Sequence, residues 1–112
     1  MKTWMYSMKF NKFNSEEKIL NHLDKLDRFF NSHKTLIVTE LDLTNKCNNN
    51  CPNCTGVKEN GAELDFEQIC KIVEGLSNLD CRSIILSGGG EPLMNPYFND
   101  AVKKISKKGM DI

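Results

Sequence analysis

Apolar positions recur along this chain in two rhythms, and the rhythm changes wherever asparagine, proline or glycine accumulates. The first is helical. Ile19, Leu20, Leu23, Leu26 and Phe30 fall on one face at three- and four-residue spacing, which predicts a helix over 16–30. Asn14 or Ser15 stands where a cap belongs, and Glu16 and Glu17 suit the positive end of the helix dipole. Over 35–43 the period drops to two. Ile37, Thr39, Leu41 and Leu43 share one face and Leu36, Val38, Glu40 and Asp42 the other, the pattern of a strand. Residues 44–61 keep neither rhythm; they are rich in Asn and Cys and contain Pro52, Gly56 and Gly61, so they read as a loop.

The helical period returns after Asp65, which with Gln68 three residues on makes a capping box. Phe66, Ile69, Cys70, Val73, Leu76 and Leu79 then form an apolar stripe that predicts a helix to residue 78. Over 83–87 the run Ile84-Ile85-Leu86 reads as a strand buried on both faces. A glycine-rich turn, 88–92, follows. Asn95 is placed to cap a helix whose first residue is Pro96, with Phe98, Ala101, Val102 and Ile105 inside. Lys107, Lys108 and Gly109 end it, and 110–112 open a third strand. Strands alternating with helices predict an α/β fold with parallel strands. In such folds ligands gather at the carboxyl ends of strands. The cysteine loop and the glycine loop both follow such ends, so they are expected to meet on one side of the sheet.

Bulk properties narrow the field modestly. A length of 112 residues suits one small domain, and the 39% hydrophobic and 27% charged fractions are ordinary for a globular chain. Fifteen basic residues balance fifteen acidic ones, which gives no argument for nucleic acid or an anionic membrane. Lys2, Lys9, Asn11 and Lys12 interrupt the apolar residues of 1–13, unlike a signal peptide, and the longest apolar runs are too short to span a bilayer. The expectation is a soluble, cytoplasmic protein. Five cysteines are an odd number, and three crowd into eight residues, which favours metal ligation over a disulfide scaffold.

Chemistry is concentrated in two motifs. Cys47-Asn48-Asn49-Asn50-Cys51-Pro52-Asn53-Cys54 is a C-x3-C-x2-C spacing, and three thiolates so close can wrap one inorganic centre of the iron–sulfur kind. A four-iron cluster on three cysteines keeps one iron open to a small chelating molecule. Ser87-Gly88-Gly89-Gly90-Glu91-Pro92 combines glycines, which let a ligand approach the backbone, with a carboxylate able to accept from an ammonium group. Pro92 stiffens the turn.

Together and in this order the motifs resemble the radical S-adenosylmethionine (SAM) superfamily. Its cysteine signature matches Cys47, Cys51 and Cys54, and its GGEP motif matches Gly89, Gly90, Glu91 and Pro92, with the likeness running from about residue 35 onward. The resemblance implies a [4Fe-4S] cluster on the three cysteines. It further implies SAM chelated at the open iron by its amino and carboxylate groups, with the GGEP loop on the amino group. It also implies an electron donor such as flavodoxin or ferredoxin, and a 5′-deoxyadenosyl radical that abstracts a substrate hydrogen. Asn53 occupies the place of the family's usual aromatic residue near the adenine, so an amide contact is expected there instead. The family core is a (β/α)6 partial TIM-like barrel. This chain carries two strand–helix units and the start of a third, which predicts a fragment, inactive by itself, with 1–34 as an amino-terminal extension and 35–112 as truncated core. The stretch 39–92 looks similar to enzymes that modify peptides or mature cofactors.

Plainer readings stand beside these. The cysteine loop could instead hold structural zinc in a non-catalytic module or a decayed remnant, with Cys70, Cys81, His22 or His33 as fourth ligand. Cys70 and Cys81 are otherwise small buried hydrophobes, and the two histidines surface or capping residues. Glu40 and Asp42 lie on the solvated side of a sheet or point into a barrel interior. Lys103, Lys104, Lys107 and Lys108 read as a solvated helix face. Trp4, Tyr6 and Phe10 suggest a small apolar patch.

Overall fold

The computed structural model describes residues 18–54 and 61–112. The expected cap at Asn14 or Ser15, the helix start at Glu16 and Glu17, the Trp4, Tyr6 and Phe10 patch, and the middle of the cysteine loop lie outside the described residues.

The period-two pattern forms β1 (Val38–Asp42), and the second apolar run forms β2 (Ser83–Ser87). They pair in parallel, with Val38 opposite Ser83 and Asp42 opposite Ser87. On the far edge of β2, the Ile84 N–H donates to Asp111 O at 2.8 Å and the Asp111 N–H to Arg82 O at 2.9 Å. The expected third strand thus begins as a parallel bridge between Ser83 and Asp111.

Alternation along β1 sends Ile37, Leu41 and Leu43 into the core and leaves Glu40 and Asp42 exposed. Two helices cover that inner face, α2 (Phe66–Asn78) and α3 (Phe98–Lys107). Leu41, Leu43, Ile69, Val73, Cys81, Ile84, Ala101, Ile105 and Met110 form one buried cluster. Each large aliphatic side chain in it contributes about 1.5–3 kcal/mol relative to exposure. Only Ile84 of its run is fully buried; Leu86 packs half-buried against the same cluster, and Ile85, also half-buried, alternates to the opposite face. Glu74 on α2 meets Lys104 at 2.9 Å and Lys108 at 3.7 Å on α3. Hydrogen bonding to Lys104, then its charge, holds the Glu74 carboxyl below its usual range.

The capping box is present as predicted: Asp65 Oδ1 accepts the Gln68 N–H at 2.8 Å, and Gln68 Oε1 accepts the Asp65 N–H at 2.9 Å. Phe66 and Leu79, at the ends of the α2 stripe, are nonetheless exposed. α3 ends as predicted, with Gly109 at φ 74° after Lys107 and Lys108.

Two helix expectations need correction. The described part of 16–30 is not one helix: a 3-10 turn (Lys18–Asn21) is separated from α1 (Leu23–Phe30) by His22, whose φ of −125° and ψ of 50° are not helical. Nor is the predicted apolar face of α1 buried, since Leu23 and Phe30 are exposed while the Lys25 side chain is 3% exposed. Polar contacts link α1 and its flanking residues to the rest of the chain. Lys25 pairs with Asp80 and Arg82 with Asp24 at 3.3 Å, and His22 Nε2 lies 3.2 Å from Asp111 Oδ2. The second correction concerns α3, which starts at Phe98; Pro92–Met94 form a 3-10 turn, and Asn95 and Pro96 lie between.

Burial, then the nearby Arg82 and Arg28 charges, lowers the Lys25 pKa from its ordinary 10.5. Between the lowered value and 10.5 the unfolded chain binds more protons, so stability rises with pH across that window. Lys25→Met is expected to match or exceed the unsubstituted chain by about 1 kcal/mol at neutral pH, since Asp80 keeps solvent and Arg82. It should also lose the alkaline rise; urea unfolding at pH 7 and pH 10 measures both. No helix of the described residues is long and apolar enough to cross a membrane.

Candidate metal and cofactor site

Because Asp42 and Ser87 are paired in register, the two strands end level, and the segments leaving them share one rim. The cysteine loop leaves β1 through a closed neck. Thr44 and Glu63 form an antiparallel bridge, the Asn45 N–H donates to Ala62 O at 2.7 Å, and the Leu64 N–H donates to Leu43 O at 2.9 Å. Buried Thr44 accepts the Lys46 N–H at 3.0 Å and donates to Glu63 at 3.3 Å, and Lys46 Nζ pairs with Glu63 at 2.9 Å.

Asn95 locks this neck to α3. Its Nδ2 donates to Leu43 O at 3.0 Å and Leu64 O at 2.9 Å, while its Oδ1 accepts the Tyr97 N–H at 2.8 Å. Expected as a cap for a helix at Pro96, it instead stands 2% exposed, satisfying backbone from three segments. Its wider role left no sequence signal, because both carbonyl partners are distant in the chain.

The glycine loop lies directly on the neck. A Cβ at Gly90 would stand 2.1 Å from Lys46 O, 2.6 Å from Asn45 C and 2.7 Å from Thr44 O. The next residue seals the seam, its Glu91 N–H donating to Lys46 O at 2.8 Å. Gly88 turns at φ 153° with Asp42 beside it. The glycines were assigned to ligand approach; at Gly90 the close neighbour is the chain's own backbone. Glu91 caps the 3-10 turn through Oε1, which accepts the Leu93 N–H at 3.1 Å, and Pro92 takes the first position, where no N–H is needed.

From this fixed base the cysteines project outward. Cys47 is half-buried; Cys51 and Cys54 are exposed, and none of the three is in a disulfide. The Cys54 N–H donates to Cys51 O at 3.2 Å, folding Pro52 and exposed Asn53 into a turn. The Asn49 N–H donates to Cys47 Sγ at 3.4 Å, and Asn49 Nδ2 reaches Glu91 Oε2 at 3.5 Å. The structure therefore brings Cys47, Gly90 and Glu91 together, with Gly89 half-buried in the same turn. It does not gather the three thiols into a finished cage: among the described residues no three His, Cys, Asp or Glu side chains stand together as a metal site.

The donor set fits an iron–sulfur centre in kind: three thiols fall within eight residues of one loop, two of them exposed, and Asn49 of that loop reaches the Glu91 carboxylate. The candidates for a fourth zinc ligand are engaged or placed elsewhere. Cys81 is buried beneath the sheet with its Sγ 3.3 Å from Ser83 O, Cys70 is half-buried on α2, His22 lies beside Asp111, and His33 follows α1. Glu40 and Asp42 are exposed on the face opposite the core, and the Ser87 hydroxyl donates to Glu40. Lys103 pairs with Asp100, and Lys104 and Lys108 with Glu74, as a solvated helix face does.

The family model described as the Radical SAM superfamily matches residues 41–112. The chain is 40% identical over 55 residues to an uncharacterised protein of Methanocaldococcus jannaschii, covering 49% of this chain and 19% of that one. It is 29% identical over 72 residues to the tungsten-containing aldehyde ferredoxin oxidoreductase cofactor-modifying protein of Pyrococcus furiosus, covering 62% of this chain and 20% of that one. The chain thus spans about a fifth of the length of the curated relatives it matches.

Proposed function

The chain belongs to the radical SAM superfamily, and from that premise we propose that Cys47, Cys51 and Cys54 hold a [4Fe-4S] cluster while the Gly89-Gly90-Glu91-Pro92 turn receives the amino group of SAM. The observation that carries this reading is the seam between the loops, where Gly90 rests on the Lys46 carbonyl and the Glu91 N–H bonds to it. A cluster held by Cys47, Cys51 and Cys54 would supply the electron for reductive cleavage of SAM, the radical chemistry that the resemblance implies.

The chain's own residues bind and orient. Glu91 offers a carboxylate to an ammonium group, a charge-assisted pairing stronger than a neutral one. Asn53 presents an amide where adenine is expected. The closed neck of Thr44, Glu63 and Lys46 fixes the start of the ligand loop, so the thiols need move only beyond it. Core organisation from residue 35, with 1–34 as an extension, belongs to the same proposal. So do a flavodoxin or ferredoxin as electron donor and a peptide or cofactor precursor as substrate. The relative from Pyrococcus furiosus, named for modifying a cofactor, supports the last of these. Two strands and a bridge give SAM one wall, so the chain alone is expected to load iron but release little 5′-deoxyadenosine.

Anaerobic reconstitution with iron and sulfide tests this. About four irons and four sulfides per chain, with a visible absorbance that changes on adding SAM, is the expected result. Stoichiometric zinc and no iron uptake overturns it in favour of a zinc module, and abundant 5′-deoxyadenosine overturns the single-wall expectation.

A further inference from the structure

Asn49 stands between the two halves of the rim. Its backbone N–H donates to Cys47 Sγ at 3.4 Å, and its side-chain Nδ2 donates to Glu91 Oε2 at 3.5 Å. The other carboxylate oxygen, Oε1, accepts the Leu93 N–H at 3.1 Å. Each oxygen of Glu91 therefore has one donor from the protein, one from its own turn and one from the cysteine loop. Each also keeps acceptor capacity for a further partner. An amide is not a ligand that iron–sulfur centres prefer, so the three-residue gap between Cys47 and Cys51 needs no asparagine for metal binding.

We infer that Asn49 is a positioning residue for the amino end of SAM: it fixes the orientation of the Glu91 carboxylate from the loop that carries the thiols. This rests on the reading of the site given above and adds a residue to it. Without the amide, Glu91 keeps, among the described residues, the Leu93 contact alone, and its Oε2 can turn toward water. The ammonium must then order the carboxylate as it binds, and ordering a side chain on binding weakens affinity. An aspartate at position 49 would set carboxylate against carboxylate.

The test uses the reconstituted chain and SAM itself, with affinity read by calorimetry and by the change in the cluster spectrum, and iron per chain read in parallel. Asn49→Ala is expected to weaken SAM binding by about fivefold to tenfold with iron content unchanged. Asn49→Asp should weaken it further, and Asn49→Gln, which retains the amide, should recover part of the loss. Unchanged affinity in Asn49→Ala overturns the inference. So does iron content falling in step with affinity, because the residue then serves only the folding of the loop. Failure of the unsubstituted chain to take up iron or to bind SAM overturns the reading of the site itself.

Discussion

Gly90→Ala is expected to destabilise the chain by about 2–4 kcal/mol and to abolish ordered iron loading, although it adds one methyl group. Its Cβ would stand 2.1 Å from the Lys46 carbonyl oxygen, with two further backbone atoms of 44–45 inside 3 Å. Backbone cannot swing aside as a side-chain tip can. The glycine loop or the cysteine loop has to shift, and either shift breaks the bond from the Glu91 N–H to Lys46 O. Gly75→Ala is the matched control. That position lies inside α2 with nothing within 4 Å of an added Cβ, so alanine there is expected to stabilise by about 0.5–1 kcal/mol. Urea unfolding of both variants, with iron uptake, separates the two outcomes. Equal behaviour would mean that the seam is looser than described.

The second large effect belongs to the thiols. Cys47→Ala, Cys51→Ala and Cys54→Ala are each expected to lower iron and sulfide per chain at least about tenfold, with loss of the visible absorbance. Two of these side chains are exposed and the third is half-buried, so the apo fold should lose little stability. Cys70→Ala, on α2, should load iron as the unsubstituted chain does. Iron retained after loss of any one of the three would reassign the ligands.

Much of this was readable before the structure, for identifiable reasons. The alternation at Ile37, Leu41 and Leu43 gave the inner face of β1 because period-two burial depends on neighbouring residues alone. The Asp65 and Gln68 pair is equally local. The meeting of the two loops followed from parallel topology, and the paired Asp42 and Ser87 agree with it. What escaped depends on contacts between distant residues. The burial of Lys25 needs Asp80, far along the chain, and the burial of Asn95 needs carbonyls at Leu43 and Leu64. Gly90 has a backbone neighbour that no sequence could name: a missing side chain is legible, but not which atom fills the space. The apolar stripe at Leu23 and Phe30 misled because periodicity shows which residues share a face and not whether anything packs against it.

The neck formed by Leu43, Thr44, Asn45, Ala62, Glu63 and Leu64 has one more implication. Among the described residues, the bridge and hydrogen bonds that close it run between backbone groups and the side chains of Thr44, Lys46 and Glu63, so the scaffold is expected to fold before any metal is loaded, unlike zinc fingers that collapse when chelated. If the proposed centre is held there, its oxidative loss would strip the loop and spare the scaffold, leaving a chain that can be recharged in place rather than rebuilt.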